Sequence, residues 1–216
     1  MRHAPEALEV RRPNLSESVR VAPLTVETWE ALAGLFGEGG DPRWCWCQYW
    51  RLRSTEFAAL KVPELRARLA AEAASPEPPG LVALEPDPVD QAGERAVGWV
   101  GLGPRGSFDR IVRSRVIPRV DDRPVWSIVC FSVSRSARGR GVGTALLDAA
   151  VAHARGCGAV AVEAYPVVVE PGDRVAAGSA FPGTLSMFER AGFVVVADRA
   201  SDPSSRYRRV VVRREL

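Results

Sequence analysis

The middle of the chain contains a strand, a glycine-rich loop, a helix and a second strand in succession. Val125–Val133 is rich in Trp, Ile, Val and Phe, which predicts a buried, central strand. A loop with three glycines follows from Arg138 to Gly143, and then a helix from Val142 to about Arg155. Ala159–Tyr165 is rich in Val and Ala and predicts the next strand. Because a helical crossover usually joins neighbouring parallel strands, this unit predicts a parallel pair within a larger sheet.

The flanking segments add further strands and helices. Strands are predicted at Ser18–Pro23, Leu81–Leu84, Ala96–Leu102, Gly192–Ala197 and Tyr207–Arg213. Helices are predicted at Thr25–Phe36, Ser54–Ala74 and Gly183–Arg190, with Ser107–Ile117 ambiguous and Gly172–Pro182 a loop. Pro63 weakens the first turns of the second of these helices. Strands and helices interleaved in this way favour an α/β (α+β) fold, a mixed sheet with helices on both faces.

The length of 216 residues suits one domain, which we expect at 19–216 after a flexible arm at 1–18. No apolar run approaches the roughly 20 residues of a membrane helix, so no membrane partner is expected. The net charge of +3 is spread along the chain, and we expect no nucleic acid partner. The four cysteines match no disulfide framework and the N-terminus has no secretory signal, which together predict free thiols in the cytoplasm.

The glycine loop predicts an anion site. Glycines at 139, 141 and 143 lack the Cβ atoms that would keep a phosphate away, and the helix N-terminus offers unpaired N–H groups. Arg135, Arg138 and Arg140 add charge. A Walker loop requires Lys and then Ser or Thr after its second glycine, which this loop lacks. A dinucleotide fingerprint requires a third glycine at 144, where the chain has Thr.

Two motifs carry a resemblance to a known family. Arg138-x-x-Gly141-x-Gly143, preceded by Phe131-Ser132-Val133, resembles the acetyl-coenzyme A signature of the GNAT N-acetyltransferases. Met187–Phe193 is similar to the second signature of that family, in which a short helix ends at Gly-Phe. The resemblance extends from Val125 to about Val196, whereas from Trp29 to Leu102 the chain matches only in the order of its elements.

This resemblance implies a fold, a cofactor and a reaction. The fold is a GNAT-like mixed, mostly antiparallel sheet of about six to seven strands, and the cofactor is acetyl-CoA. Backbone amides would hold the diphosphate at Arg138, Gly139, Arg140, Gly141, Val142, Gly143 and Thr144. Backbone groups of Phe131 and Val133 would pair with the pantetheine arm. The acetyl group would pass directly to a primary amine of a small molecule or peptide, and the resemblance leaves a homodimer open.

The catalytic residues are the point at which the chain departs from the family. The usual general acid is a Tyr in the second signature, where this chain has Phe188, so a CoA-binding module without turnover is an alternative function. Tyr165, or less so Ser186, could donate the proton instead, although Tyr165 could equally be a packing aromatic. Glu163, as a lone carboxylate among apolar neighbours, is the first candidate for the base. The alternative is that Glu163 pairs with an Arg.

An aromatic segment, Trp44–Trp50, contains three Trp, one Tyr and two Cys, and lies between predicted helices. Since the family commonly shapes its acceptor site with this connection, Trp46, Cys47 and Tyr49 are expected to border the acceptor pocket. Packing in the core is the alternative, and it is favoured for Trp44 and Trp50. No metal is expected, because structural zinc requires four Cys or His ligands that this spacing does not supply.

Overall fold

The computed structural model describes residues 19–38, 42–90, 93–169, 180–198 and 207–216. Within them, seven strands are Arg20–Pro23 (β1), Gly80–Pro86 (β2), Glu94–Pro104 (β3), Trp126–Val133 (β4), Ala161–Ala164 (β5), Val194–Asp198 (β6) and Val210–Glu215 (β7). They form one sheet in the order β1-β2-β3-β4-β5-β7-β6. The neighbours β4 and β5 are parallel and the other neighbouring pairs are antiparallel. The predicted arm at 1–18 lies outside the described residues.

Helices cover both faces of this sheet. They are Trp29–Gly37 (α1), Pro42–Cys45 (α2), Ser54–Ala59 (α3), Val62–Ala73 (α4), Asp109–Val112 (α5), Val142–Gly156 (α6) and Leu185–Arg190 (α7). Leu146 and Leu147 of α6 pack in one hydrophobic cluster, whereas Phe36 of α1 and Leu69 of α4 pack in another on the opposite face. The predicted α/β (α+β) architecture with a mostly antiparallel sheet is therefore confirmed.

Helix α6 lies close to the sheet because β3 has a glycine beneath it. A Cβ at Gly98 would lie 2.7 Å from Val142 Cγ1 and 2.9 Å from Leu146 Cδ1. Both side chains are buried at the start of the helix. Only a residue without a side chain permits this approach. The contact fixes the N-terminus of α6 beside the carboxyl end of β4.

Strands β4 and β5 pair over a short length and then separate. Their register runs from Trp126↔Val162 to Ile128↔Ala164, whereas β4 continues to Val133. On its other side, β4 pairs Cys130 with Gly101 and Ile128 with Leu102, so Val129 is the extra residue of a β-bulge. A bulge bends its strand and increases its twist. The bend opens a gap, the β4–β5 gap, between the carboxyl ends of the two parallel strands.

The single helix predicted over Ser54–Ala74 is wrong, because two helices, α3 and α4, occupy that range. Leu60 has φ −95° and ψ 142°, which ends the first helix. Lys61 N–H donates to Glu64 Oε2 at 2.7 Å and caps the second. Pro63 lies in the first turn of α4, where its missing N–H costs no helical hydrogen bond. Among the described residues no helix combines the length and apolar character of a membrane span.

Candidate functional site

The glycine loop forms an open cradle at the N-terminus of α6. Gly139 and Gly141 have φ of +77° and +81°, in the left-handed region that favours glycine. A Cβ at Gly139 would meet nothing within 4 Å, so the space in front of the loop is open. The N–H groups of the first turn have no partner inside a helix, and they carry the positive end of its dipole. The loop therefore has open space in front of N–H groups that no helical carbonyl accepts.

The arginines of the loop differ in their partners. Arg140 Nη2 donates to Glu85 Oε2 at 2.7 Å, and Glu85 also accepts from Arg95 at 2.8 Å. Burial alone would raise the pKa of Glu85, but the two guanidiniums outweigh it and lower that pKa. Arg135 and Arg138 are exposed. Arg140 therefore ties the loop to β2, whereas Arg138 Nε donates to Val133 C=O at 3.3 Å.

The edge of β4 that faces the β4–β5 gap carries the groups predicted to bind pantetheine. Ser134 N–H donates to Val97 C=O across to β3 at 3.0 Å. Because hydrogen-bonding residues alternate along an antiparallel pair, Phe131 and Val133 direct their N–H and C=O groups into the gap. In this structure Phe131 N–H already donates to Phe181 C=O at 2.6 Å. Pairing of Phe131 with pantetheine therefore requires Phe181 to yield that position.

Glu163 is held by arginines on the inner part of β5. Arg213 Nε and Nη2 both donate to Glu163 Oε1, at 3.2 and 2.6 Å, and Arg105 Nη1 donates to Oε2 at 3.4 Å. The expectation of a lone carboxylate among apolar neighbours is wrong, and pairing with Arg is the arrangement found. The reason is the register, which places Glu163 of β5 opposite Arg213 of β7.

Arg213 connects this pair to a second carboxylate. Its Nη1 donates to Asp121 Oδ2 at 2.6 Å. That hydrogen bond is the main reason why the pKa of Asp121 is lowered to about 2. The same bond, followed by those to Glu163, raises the pKa of Arg213 above its usual value. The side chains of Glu163 and Arg213 are only 2% and 7% exposed, so this is a buried ion-pair network.

Tyr165 lies directly after β5 and joins the same network. Its hydroxyl is 2.9 Å from Ser127 Oγ and 3.5 Å from Glu163 Oε2. Burial first, and the charge of Glu163 second, raise the pKa of Tyr165 above its usual range. At neutral pH the hydroxyl of Tyr165 therefore stays protonated. Ser186, the weaker candidate, is exposed on α7 with its hydroxyl 3.4 Å from that of Thr184.

A cavity of about 550 Å³ opens at the amino end of β4, at the opposite end of that strand from the glycine loop. Glu163 and Tyr165 both line it, together with Arg105, Arg119 and Arg123. Much of the remaining wall is apolar, from the segment around Ile111 and Ile117. The cavity thus brings the two predicted catalytic side chains together at the level where β4 and β5 separate.

Phe188, at the position of the usual family tyrosine, is fully buried. Its ring lies 5.1 Å from Phe193 and 6.1 Å from Phe131, both edge-on. A Cβ at Gly183 would lie 2.7 Å from Phe188 Cε2 and 3.5 Å from Cζ, so backbone closes over the tip of the ring. Phe188 therefore packs in the core, with the backbone of Gly183 beside the end of its ring.

The aromatic segment contributes mostly to the core. Trp46 and Cys47 are 6% and 5% exposed, and neither lines the cavity. Trp46 packs edge-on at 5.5 Å from Phe36. Trp99 Nε1–H donates to Cys47 Sγ at 2.9 Å. Within this segment, packing in the core is therefore the arrangement found for Trp46 and Cys47.

The outer residues of the segment differ. Tyr49 is 39% exposed beneath Arg110, whose Cζ lies 3.9 Å from its ring centroid. Trp50 is buried, as expected, but Trp44 is 56% exposed, so its assignment to the core is wrong. No disulfide joins any of the four cysteines, and within the described residues no group of three or more His, Cys, Asp or Glu is placed to hold a metal.

Several residues that shape the site were missed by sequence reasoning. Arg213 was missed: it follows three Val residues in β7, and Glu163 is a charge of opposite sign in the Val-rich strand β5, which was the available signal for a cross-strand pair. Glu85 has a similar signal, as a carboxylate at the end of an apolar strand. The Phe181 contact had none, because it depends on how a loop folds back onto β4.

Comparison with known proteins identifies the family of this chain. The sequence profile of the acetyltransferase (GNAT) family matches residues 39–178. No curated protein sequence matches the chain at a significant level. Among solved structures, a chain of the NatC complex bound to Gag peptide and CoA is similar, with a TM-score of 0.54 at 12% identity over 92% of this chain and 99% of that one.

Two further solved structures are similar to this chain. An acetyltransferase assigned to the GNAT family from Desulfovibrio desulfuricans has a TM-score of 0.54 at 16% identity, over 92% of this chain and 99% of that one. Arabidopsis thaliana NAA60 in complex with acetyl-CoA has a TM-score of 0.50 at 12% identity, over 92% and 100%. At such identities the likeness establishes the fold alone. With a profile match over more than half of its length as well, the chain belongs to the GNAT acetyltransferase family.

Proposed function

We propose that this protein transfers the acetyl group of acetyl-CoA to a primary amine. The observation that carries the proposal is the cradle at the N-terminus of α6, with left-handed Gly139 and Gly141, beside the β4–β5 gap. The similar structures that contain CoA or acetyl-CoA support the choice of ligand. Acetyl-CoA would supply the thioester carbonyl carbon that the amine attacks.

The cofactor half of the site would act through backbone groups. The amides from Arg138 to Thr144 would hold the diphosphate, and the exposed guanidiniums of Arg135 and Arg138 would offset its charge. The N–H and C=O groups of Phe131 and Val133 would align the pantetheine arm along β4. Such an arm would place the thioester near the level at which β4 and β5 separate.

The acceptor half would be the 550 Å³ cavity, because its inner wall reaches that same level. Tyr165 is the proposed donor of a proton to the departing sulfur, since it lines the cavity beside Glu163, with its hydroxyl 3.5 Å from Glu163 Oε2. Glu163 is the single carboxylate among the described residues that line the cavity, and it remains the proposed acceptor of the amine proton. Its guanidinium partners hold it in place and compete for its lone pairs.

The acceptor and the location are proposed as the sequence predicted them. A small-molecule or peptide amine fits the cavity volume, and the NatC structure holds a peptide. A cytoplasmic location is proposed because the four cysteines are not joined in disulfides.

Release of CoA thiol on incubation with acetyl-CoA and a panel of amines tests the function. Small amines, amino acids and peptide N-termini form the panel, and CoA affinity is measured separately by calorimetry. Turnover on at least one amine is expected, with loss of at least about tenfold for Tyr165→Phe. Tyr207→Phe is the matched control and should keep its rate, because Tyr207 is not among the residues that line the cavity. Equal rates in both variants would remove Tyr165 as the acid.

The alternative function is a CoA-binding module without turnover. Burial of Phe188 where the family usually has Tyr is the observation that favours it. Under this alternative CoA binds, but no amine in the panel releases thiol. The absence of CoA binding would argue against both functions.

A further inference from the structure

A short turn fills the β4–β5 gap in the ligand-free protein. Gly183 N–H donates to Ala180 C=O at 2.8 Å, which closes the turn Ala180–Gly183. On one side, Phe131 N–H of β4 donates to Phe181 C=O. On the other side, Val167, which follows β5, donates its N–H to Gly183 C=O at 3.0 Å. The turn therefore spans from one separated strand to the continuation of the other.

The side chain of Phe181 anchors the turn. Its ring centroid lies 6.3 Å from that of Trp50, and the guanidinium carbon of Arg209 lies 5.7 Å from the ring. Trp50 is buried and belongs to the aromatic segment. Gly183 supplies the required φ of +85° at the end of the turn. The Phe181 ring thus links the turn to the helical face opposite α6.

We propose that the Ala180–Gly183 turn is an autoinhibitory plug that must leave Phe131 before the pantetheine arm can bind. This inference rests on the proposed function, since that arm needs the same backbone donor on β4. Phe131 N–H can serve one carbonyl, either that of Phe181 or an amide carbonyl of pantetheine. The affinity for CoA is then reduced by the fraction of molecules in which the turn is closed.

Weakening the anchor should raise that affinity. Phe181→Ala removes the contact with Trp50 and keeps the rest of the site, so CoA is expected to bind about tenfold more tightly in calorimetry. Phe57→Ala is the control, because Phe57 is also a half-buried phenylalanine packed on an aromatic ring, yet lies outside the gap. Its CoA affinity should equal that of the wild type.

Hydrogen exchange of the Phe131 amide gives a second readout that does not require ligand. The amide should be protected in the ligand-free wild type and should exchange faster in Phe181→Ala. Unchanged or weaker CoA binding by Phe181→Ala, with normal binding by the wild type, would overturn the plug and leave the proposed function standing. Failure of every variant to bind CoA would instead overturn the proposed function and the plug with it.

Should Phe181→Ala not fold, Phe181→Leu replaces it, with a smaller gain in affinity expected. The wild-type measurement stands independently of either variant. A Phe131 amide that exchanges in the ligand-free wild type as fast as an exposed loop amide would contradict a closed gap.

Discussion

The two ends of β4 are built in different ways. At the carboxyl end, the glycine loop and the first turn of α6 present backbone groups, and the surrounding loop residues are largely exposed. At the amino end, Glu163 and Arg213 form a buried network of side chains around a cavity. Under the proposed function, backbone groups would bind acetyl-CoA at the carboxyl end, and side chains would bind the acceptor at the amino end.

If the two ends of β4 are independent, Glu163→Gln should lower the stability of the protein without changing its affinity for CoA. Removing one charge of a buried pair leaves Arg213 with less compensation, so unfolding free energy should fall by about 3 kcal/mol. Denaturant melts measure this loss. The control is Glu94→Gln, since Glu94 pairs with Arg20 at the surface and should cost less than about 1 kcal/mol. A CoA affinity that falls in parallel with stability would show that the two ends are coupled.

Gly139→Ala is expected to have the opposite effect, with a small loss of stability and a large loss of affinity for CoA. An alanine at a φ of +77° should cost about 1 kcal/mol in stability, and its methyl group would enter the open cradle. CoA affinity by calorimetry should fall about 30-fold.

Gly158→Ala is a closely matched control for that change. Gly158 has a φ of +80° and open space around it, but lies past the far end of α6. It should show the same loss of stability and unchanged CoA affinity. Equal affinity losses in both variants would mean that strain, and not the cradle, governs binding.

Phe188→Tyr tests whether position 188 of the second signature contributes to packing or to catalysis at the carboxyl end of β4. The new hydroxyl would be buried against the backbone near Gly183, which should cost about 1–2 kcal/mol in a denaturant melt. Thiol release should not increase. Phe57→Tyr, at a half-buried site, should be nearly neutral, and a faster Phe188→Tyr enzyme would contradict a pure packing role.

The smallest expected effect concerns pH at the amino end. Burial lowers the pKa of His153 from its model-compound value of 6.5, so the folded protein favours the neutral ring. Its contribution to stability is present above that value and is lost as pH falls below it, by less than about 1 kcal/mol. Denaturant melts between about pH 7.5 and about pH 5.5 should show this loss. The stability of the His153→Gln variant should depend less on pH over that range. An identical pH dependence in the variant and the wild type would exclude His153 as the cause.

Local patterns in the sequence were sufficient for the carboxyl end of β4. The spacing of glycines and the apolar periodicity of the following segment predicted α6 and the parallel pair of β4 and β5, and both are found. These features depend on residues close together in the chain. The bulge at Val129 was not predicted, because it depends on the pairing of β4 with β3, a strand that is distant in the sequence. The break between α3 and α4 was not predicted, because it depends on the Glu64 side chain, which caps the backbone of Lys61.

The amino end could not be predicted in the same way. Glu163 meets Arg213 through the register of β5 and β7, which are separated by two further elements along the chain. Burial of Trp46 and Cys47 depends on the packing of α1 and β3 around them. A glycine loop before a helix can therefore be recognised in a single sequence, whereas a network of side chains can be recognised only when the strands are paired.

The most direct test of the account is the response of backbone amide resonances to CoA. Titration of the ¹⁵N-labelled protein should shift the amides from Gly139 to Thr144 most strongly, followed by Phe131 and Val133. Residues that line the cavity, such as Arg119 and Arg123, should respond little. Strong shifts around the cavity with none in the glycine loop would contradict the assignment of the cradle to the diphosphate.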